Sequence, residues 1–386
     1  MRIGIYGGSF NPPHLGHVFA AETAVSALGL DRLVVIPAGI PPHKSLPPGS
    51  PDGKQRLEMT CLAFSNVEKA EVSDIEITKN GISYTAETLE EIKARNSDAD
   101  IYLMMGADMF LSLEGWYDSA KILQSAIPAV LSRKDEDRTA LGAHAEHVFK
   151  TTGTRPVVID NEVVNISSSE LRQTLRDRVK SGYIDDTIYA YIIRGRLYGA
   201  KPEFAWLREQ ACRMLAPQRV PHVLGCEQEA VSLANRWGAD EDEAREAGIL
   251  HDITKKLGME EQLRICDKYD IIIDTVEKSE VKLLHSKTGA AIARAEFGVS
   301  DDVYEAITWH TTGRAGMTLL EKIVYMADYI EPTRNFEGVE TLRQLAYKDL
   351  DRAVYEGLSM SVNDMHARGI IPHPGTLEAL LFLEKR

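Results

Sequence analysis

Up to about residue 133, short apolar runs alternate with amphipathic stretches, a rhythm that predicts βαβ units. Strands are expected at Arg2–Tyr6, Leu33–Ile36, Ala70–Ile77, Ile101–Met105 and Ala129–Ser132, with helices over 14–28, 53–65, 83–95 and 117–124. A further strand is expected at Pro156–Asp160, ahead of a helix that starts near Ser167, while Lys134–Thr154 follows no assignable pattern. Strands joined by crossover helices imply a mostly parallel, doubly wound α/β sheet. After Tyr198-Gly199-Ala200-Lys201-Pro202 the texture changes. Apolar residues then recur at helical spacing, as in Val223, Ala230, Leu233, Ala234 and Trp237, and only Ile271–Ile273 retains a strand-like run. The Gly/Pro stretch therefore marks a boundary between an α/β domain at 1–200 and an all-α domain at 201–386. Internal repeats and low-complexity segments are absent.

A chain of 386 residues with 44% hydrophobic content has material for two well-filled cores. Its net charge of −14 excludes a general nucleic-acid or acidic-membrane binder, which needs a basic face. Anionic substrates must instead meet locally placed Arg, Lys, His, helix termini or metal ions. Cys61, Cys212, Cys226 and Cys266 have no CxxC spacing and read as reduced thiols, not a disulfide frame or zinc cluster. With no leader pattern and no run of about 18 apolar residues, a soluble cytoplasmic protein is expected.

The first motif is Gly7-Gly8-Ser9-Phe10-Asn11-Pro12-Pro13-His14-Leu15-Gly16-His17, placed between the first strand and the first helix. Glycines let backbone N–H groups approach an anion, and a helix N-terminus favours negative charge. His14 and His17 add donors on the same turn. Further downstream come the Pro41-Pro42-His43-Lys44 loop, Ser83-Tyr84-Thr85, Gly106-Ala107-Asp108 followed by Trp116, and Ser167-Ser168-Ser169 with Arg172 one turn into a helix. Together these segments resemble bacterial nicotinate-nucleotide adenylyltransferases, Rossmann-like nucleotidyltransferases, over roughly residues 1–196.

The resemblance implies that the Gly8, Ser9 and Phe10 backbone, His14, His17, Asp108, Ser168 and Arg172 hold ATP. Lys44, Thr85 and Trp116 would receive nicotinate mononucleotide, the indole stacking on its pyridine ring. The acceptor phosphate is already an anion and needs no general base. Charge on the α-phosphate and the leaving pyrophosphate is what must be offset, by His14, His17 and Arg172 with Mg²⁺ on the triphosphate. Each residue also has a plainer reading: Trp116 as core filler, Asp108 as a cap, Lys44 as a solvated loop residue, the serines as an N-cap cluster. His144 and His147 have no carboxylate or cysteine companion and read as surface residues.

In the second half, Ala247-Gly248-Ile249-Leu250-His251-Asp252 is an apolar helix ending in two adjacent metal-capable side chains. A buried Asp beside a His is costly unless something neutralises it. His222 opens a helix, His285 starts another, His310 ends a third, and Asp328 lies inside the apolar run Ile323–Ile330. Four histidines and two carboxylates suffice for two metals with one carboxylate shared. The order His…His-Asp…His…His…Asp resembles the HD-domain phosphohydrolases. Met326-Ala327-Asp328-Tyr329-Ile330-Glu331-Pro332 with Arg334 is similar to the bacterial branch that splits diadenosine tetraphosphate into two ADP. That resemblance covers about residues 203–383. It implies one iron on His222, His251, Asp252 and Asp328, and a second on Asp252, His285 and His310. Lys255, beside the catalytic Asp252, and Arg334 would bind phosphate. His366 and His373 match nothing and read as structural.

A two-headed enzyme is therefore expected, acting on ATP, nicotinate mononucleotide and diadenosine tetraphosphate, without nucleic-acid or membrane partners and with self-association left open. Two alternatives stand beside it: pantetheine phosphate as the acceptor in the first half, and a second half that senses or hydrolyses another nucleotide.

Overall fold

A computed structural model describes residues 1–42, 45–79, 81–132, 138–160, 166–278 and 280–385. They form two compact units, Met1–Lys201 and Pro202–Arg386. In the first unit, β1 (Arg2–Gly8), β2 (Arg32–Pro37), β3 (Ala70–Val72), β4 (Asp100–Gly106), β5 (Ile127–Ser132) and β6 (Val157–Asp160) build one sheet. Every pairing is parallel, in the order β3-β2-β1-β4-β5-β6. Its helices are α1 (Leu15–Leu28), α2 (Gly53–Phe64), α3 (Thr85–Arg95), α4 (Ala107–Leu111), α5 (Ser119–Ser125), α6 (Arg138–Thr152), α7 (Ser168–Arg176) and α8 (Asp186–Arg194).

The central strands β1, β2, β4 and β5 are mainly apolar because both faces of the sheet are covered there, whereas the edge strands β3 and β6 are partly exposed. Ile3, Ile5, Val34, Ile36, Leu103 and Met105 enter one core, whereas Leu33, Val35, Met104, Ala129 and Leu131 enter another. Alternate residues of a strand point to opposite faces, so the central strands feed both cores, whereas the edge strands β3 and β6 feed only the second. Strand order reverses at β1, which pairs with β2 on one side and β4 on the other. Such a switch point leaves a crevice beyond the strand C-termini, where ligands of open α/β sheets sit. Gly7 and Gly8 end β1 there, and Gly106 ends β4.

Two sequence expectations need correction in this unit. The strand expected at Ala70–Ile77 stops at Val72. Ser73 still donates to the Val35 carbonyl at 2.9 Å, but the next donor on β2 would be Pro37, which has no N–H. The chain then turns, with Thr78 N–H on the Asp74 carbonyl at 3.0 Å. The unassigned stretch at 134–154 contains α6, whose buried residues are only Leu141 and Val148, too thin a stripe to read; residues 133–137 lie outside the described set.

The second unit contains α9 (Phe204–Met214), α10 (Val220–Trp237), α11 (Glu241–Leu250), α12 (Met259–Lys268), α13 (Val281–Phe297), α14 (Asp301–Trp309), α15 (Leu319–Ile330), α16 (Val339–Ala346), α17 (Leu350–Ala367) and α18 (Pro374–Glu384). No strand occurs among its described residues. Ile271–Ile273 is irregular and Ile272 is 88% exposed, an alternating run with no strand to pair with. Across the described residues, no helix is long and apolar enough to cross a membrane. Helices α10 and α11 approach closely at Gly248, where a Cβ would stand 2.7 Å from the Glu227 Cα. Gly248→Ala should therefore force the two helices apart and cost about 1–3 kcal/mol, measurable as a lower denaturation midpoint.

Candidate active sites

The β1–α1 connection is shaped by its own side chains. Phe10 adopts φ 43° and is 1% exposed, its ring lying under Gly8, where a Cβ would meet it at 3.0 Å. The ring is a core piece that props up the turn, so only the backbone of Phe10 is available to a ligand. Gly7 has open space where a side chain would stand. His14 is the N-cap of α1, and its backbone N–H reaches His17 Nδ1 at 3.2 Å, which puts the His17 proton on Nε2. The rings lie 3.8 Å apart between centroids. Burial pushes His14 down to about 4, and burial plus His14 push His17 well down. At neutral pH both are N–H donors rather than cations.

Helix α7 delivers its N-terminus to the same turn. Ser167 caps α7 in a capping box with Glu170. Ser168 Oγ donates to the Pro12 carbonyl at 3.0 Å, and Arg172 Nη1 donates to the Asn11 carbonyl at 2.7 Å. A cavity of about 460 Å³ opens above the sheet, and Gly8, Ser9, Thr85, Trp116, Ser168 and Arg172 all line it. Trp116 is half-buried, lines the cavity and also packs on the sheet core, so core filler and cavity wall are one residue. Asp108 is exposed in the first turn of α4, off the cavity wall. Lys44 and His43 lie outside the described residues.

Sequence reasoning passed over Arg56 and Glu76. Arg56 is 1% exposed and donates to the Ser9 carbonyl at 3.0 Å and the Gly39 carbonyl at 3.1 Å, clamping the loops after β1 and β2 together. Its only signal was an arginine among Met59, Thr60 and Phe64 on the buried face of α2. Glu76 lines the cavity and accepts from Thr88 Oγ1 at 2.9 Å. Burial raises its carboxyl, a residue displaced into the wall by the early end of β3.

The second unit brings all six expected metal ligands to one centre. His222 Nε2 stands 3.3 Å from His251 Nε2, 2.9 Å from Asp328 Oδ1 and 3.7 Å from Asp252 Oδ2. The other Asp252 oxygen, Oδ1, faces His285 Nε2 at 3.1 Å and His310 Nε2 at 3.7 Å, and those two imidazoles are 3.1 Å apart. His251 and His310 sit at helix C-termini, His222 in a first turn tolerant of Pro221, and Asp328 in α15.

Tautomers decide what such a centre can hold. His251, His285 and His310 turn Nδ1 to the carbonyls of Gly248, Lys282 and Ile307 at 2.8, 2.5 and 2.6 Å. His222 turns Nδ1 to the Glu331 carboxylate at 3.0 Å. A carbonyl or carboxylate fixes the proton on Nδ1, so four Nε2 lone pairs converge with two carboxylates. Asp252 Oδ1 receives no hydrogen bond. Lone pairs at about 3 Å from one another need a cation between them, and imidazole with carboxylate is a divalent transition-metal donor set. Burial pushes His285 down to about 4 and also lowers His310, leaving both rings neutral ligands. Burial opposes charge on His251 as well, but Cys226 and Asp252 outweigh it and hold that ring well above its usual range. Without another cation, His251 supplies the proton itself.

Side chains behind the ligands complete the frame. Glu331 is fully buried and also accepts from the Thr333 N–H at 2.7 Å. It fits only because residue 225 is glycine, where a Cβ would stand 2.4 Å from Glu331 Oε2. Three cations reach in from the rim: Arg219 Nε on Asp252 at 2.6 Å, Lys255 Nζ on His285 at 3.0 Å, and Arg334 on Asp328 at 2.7 Å. Arg219 was missed in the sequence, standing in a polar connector three residues before the first ligand. His373 caps α18 and pairs with Asp274 at 2.8 Å beside Glu277, which Lys287 already neutralises at 2.7 Å. His147 pairs with Glu114 at 3.2 Å on the surface, whereas His144 is half-buried against Phe110, contrary to the surface reading.

A cytidylyltransferase-like family model matches residues 5–174, and an HD-domain model matches residues 219–333. A probable nicotinate-nucleotide adenylyltransferase of Gemmatimonas aurantiaca is 34% identical over 206 residues, covering 52% of this chain and 94% of that protein. The symmetrical bis(5'-nucleosyl)-tetraphosphatase of Bacillus subtilis is 40% identical over 147 residues, covering 38% of this chain and 78% of that protein. The crystal structure of a predicted HD superfamily hydrolase involved in NAD metabolism from Clostridium acetobutylicum shares 36% identity, with 47% of this chain and 97% of that one covered at a TM-score of 0.46.

Two expectations follow from the geometry. His14 stays neutral in the folded chain down to about 4, whereas the unfolded ring takes up a proton from 6.5 downward. Its stabilisation is complete above 6.5 and lost as pH falls towards 4, on the order of 3 kcal/mol, and His14→Asn should flatten this dependence in urea melts. In the second unit, Glu331→Ala and Gly225→Ala should each weaken divalent-ion binding about 10–100-fold, read by elemental analysis after desalting.

Proposed function

Because the chain belongs through its first half to the nicotinate-nucleotide adenylyltransferases and through its second to the HD-domain symmetrical tetraphosphatases, we propose that it is a bifunctional enzyme. The first unit transfers the adenylyl group of ATP to nicotinate mononucleotide. An oxygen of the acceptor phosphate forms a bond to Pα, the Pα–O bond to the β-phosphate breaks, and pyrophosphate leaves with that electron pair. The observation that carries this reading is one cavity that joins the Gly8–Ser9 backbone and Arg172 to Trp116 and Thr85.

Backbone N–H groups after β1, the N-terminus of α7 and Arg172 hold the triphosphate. The neutral His14 and His17 donate to oxygens whose charge grows in the transition state, Ser168 fixes the loop that carries them, and Mg²⁺ arrives with ATP. Asp108, exposed in the first turn of α4 and off the cavity wall, would meet only the part of the nucleoside that extends beyond the cavity. Trp116 stacks on the pyridine ring, with Thr85 and Lys44 on the acceptor. Direct comparison of nicotinate mononucleotide, nicotinamide mononucleotide and pantetheine phosphate as acceptors tests the assignment; preferred turnover of pantetheine phosphate would refute it. His17→Ala should lower kcat by about 10²–10³ in the same assay, the scale of one lost transition-state donor.

The second unit hydrolyses diadenosine tetraphosphate into two ADP. Convergent Nε2 lone pairs from four histidines on two carboxylates carry this reading. His222, His251, Asp252 and Asp328 would hold one ion and Asp252, His285 and His310 the other, with iron as the proposed metal. When bound, the ions would activate a water and offset charge on the struck phosphate. Asp252 spans the centre through its two oxygens. Arg334, Arg219 and Lys255, whose Nζ also lies 3.4 Å from Asp252 Oδ1, exchange their carboxylate partners for phosphate oxygens and so draw the polyphosphate inward. ADP as the sole product, together with two divalent ions per chain, is the expected result. Bound metal without cleavage of any polyphosphate would favour a nucleotide-sensing module.

A further inference from the structure

Tyr198, in the turn Leu197–Gly199 near the end of the first unit, carries two costs that packing alone does not explain. Its backbone lies at φ 63° and ψ 9°, the left-handed region that a bulky side chain rarely enters, although a glycine stands next in the chain. Its side chain is 5% exposed, and the hydroxyl is a buried group with no hydrogen-bond partner among the described residues. A phenyl ring would fill the same space without leaving that oxygen unpaired. A residue that burdens the fold twice is a candidate for a role in the site beside it.

That site is the arginine side of the phosphate turn. Two hydrogen bonds bind the Tyr198 turn to α7: Arg176 Nε donates to the Tyr198 carbonyl at 3.0 Å, and the Lys201 N–H to the Leu175 carbonyl at 2.9 Å. One helical turn before Arg176 the same helix presents Arg172, whose Nη1 is on the Asn11 carbonyl and whose Nη2 meets Ser169 Oγ at 2.9 Å. Burial raises the Tyr198 phenol while the charges of Arg172 and Arg56 pull it back, so both guanidiniums stand within electrostatic reach of the hydroxyl. Two more buried atoms of this set, Arg56 Nε and Asn11 Oδ1, have no partner among the described residues. Turning the Asn11 amide would not relieve this. Its Nδ2 donates to Ser50 Oγ at 2.8 Å, and the Ser50 proton goes to the Pro47 carbonyl at 2.7 Å. An unpaired donor, an unpaired acceptor and a hydroxyl able to serve as either thus belong to residues tied to one turn.

We infer that Tyr198 is a positioning residue for Arg172: when the guanidinium turns from the Asn11 carbonyl to the triphosphate, the hydroxyl receives one of its N–H groups and fixes its direction. The inference deepens the adenylyltransferase reading and rests on Arg172 meeting the nucleotide, not on which acceptor follows. A planar fork of five N–H groups can serve a phosphate and a hydroxyl together. Arg56 remains on Ser9 and Gly39 and keeps the turn in place.

Tyr198→Phe, Arg172→Ala and the double variant test this in the full chain. A non-hydrolysable ATP analogue is titrated calorimetrically, and adenylyl transfer to nicotinate mononucleotide is followed at steady state. Tyr198→Phe should keep or raise the denaturation midpoint, because it removes an unpaired buried group. It should nevertheless weaken analogue binding and kcat/KM for ATP about 10–100-fold, the scale of one hydrogen bond to a charged group. KM for nicotinate mononucleotide at saturating ATP should change little, and in the Arg172→Ala background the phenylalanine should cost nothing further. A lower midpoint in Tyr198→Phe would overturn the inference, since the hydroxyl would then be a folding contact. Unchanged ATP parameters, or losses that add in the double variant, would overturn it too. If the titrations follow the expected pattern while no dinucleotide forms, the Tyr198–Arg172 pair stands and the proposed transfer falls. If transfer proceeds with every ATP parameter indifferent to the hydroxyl, the transfer stands and the pair falls.

Discussion

Six electron-rich side chains gathered in a closed space repel one another unless positive charge is set among them, and the second unit is organised around that requirement. The helices do more than supply ligands. Backbone carbonyls at Gly248, Lys282 and Ile307 hold three rings in the tautomer that presents Nε2, at no cost in buried charge. The fourth ring uses Glu331 instead, and a carboxylate behind an imidazole makes it a stronger donor. Glycines allow these approaches: Gly225 admits Glu331 and Gly248 brings α11 onto α10. Two residues without side chains are thus part of the metal centre.

The first unit answers the opposite demand, since its ligand is the anion. Among the described residues no cluster of fixed cations fills its cavity; Arg172 and the buried Arg56 spend their donors on loop carbonyls at Asn11, Ser9 and Gly39. Both arginines hold the shape of the glycine turn, and Arg172 also lines the cavity. In the proposed transfer His14 and His17, kept neutral by burial, contribute direction rather than charge. A neutral donor binds a ground-state phosphate weakly and gains most where oxygen charge increases, which is the condition for lowering a barrier.

The two proposed reactions are related in chemistry and differ in economy of charge. One makes a phosphoric anhydride with pyrophosphate as leaving group; the other breaks an anhydride with water. Transfer must keep water away from the α-phosphate, which calls for a site walled by the bound substrates and the protein. Hydrolysis needs water made reactive, which is the task of a divalent-ion pair.

Much of the chain was legible in advance because its signals are local. The strand–glycine–helix turn, the capping serines of α7 and the adjacent His251-Asp252 depend on neighbours in sequence, and periodicity reports burial on one or two faces. The thin stripe of α6, the early end of β3 at Pro37 and the lone Ile271–Ile273 run were misread or unreadable, each settled by a partner distant in the chain. Ligand types and their order came from sequence alone. Which oxygen of Asp252 faces which histidine pair, and the placement of Arg56, Glu76, Arg219 and Glu331, came only with tertiary structure. A residue's type states which bonds it can make, but distance and tautomer arise only when remote segments are packed together and each buried polar atom must find its partner.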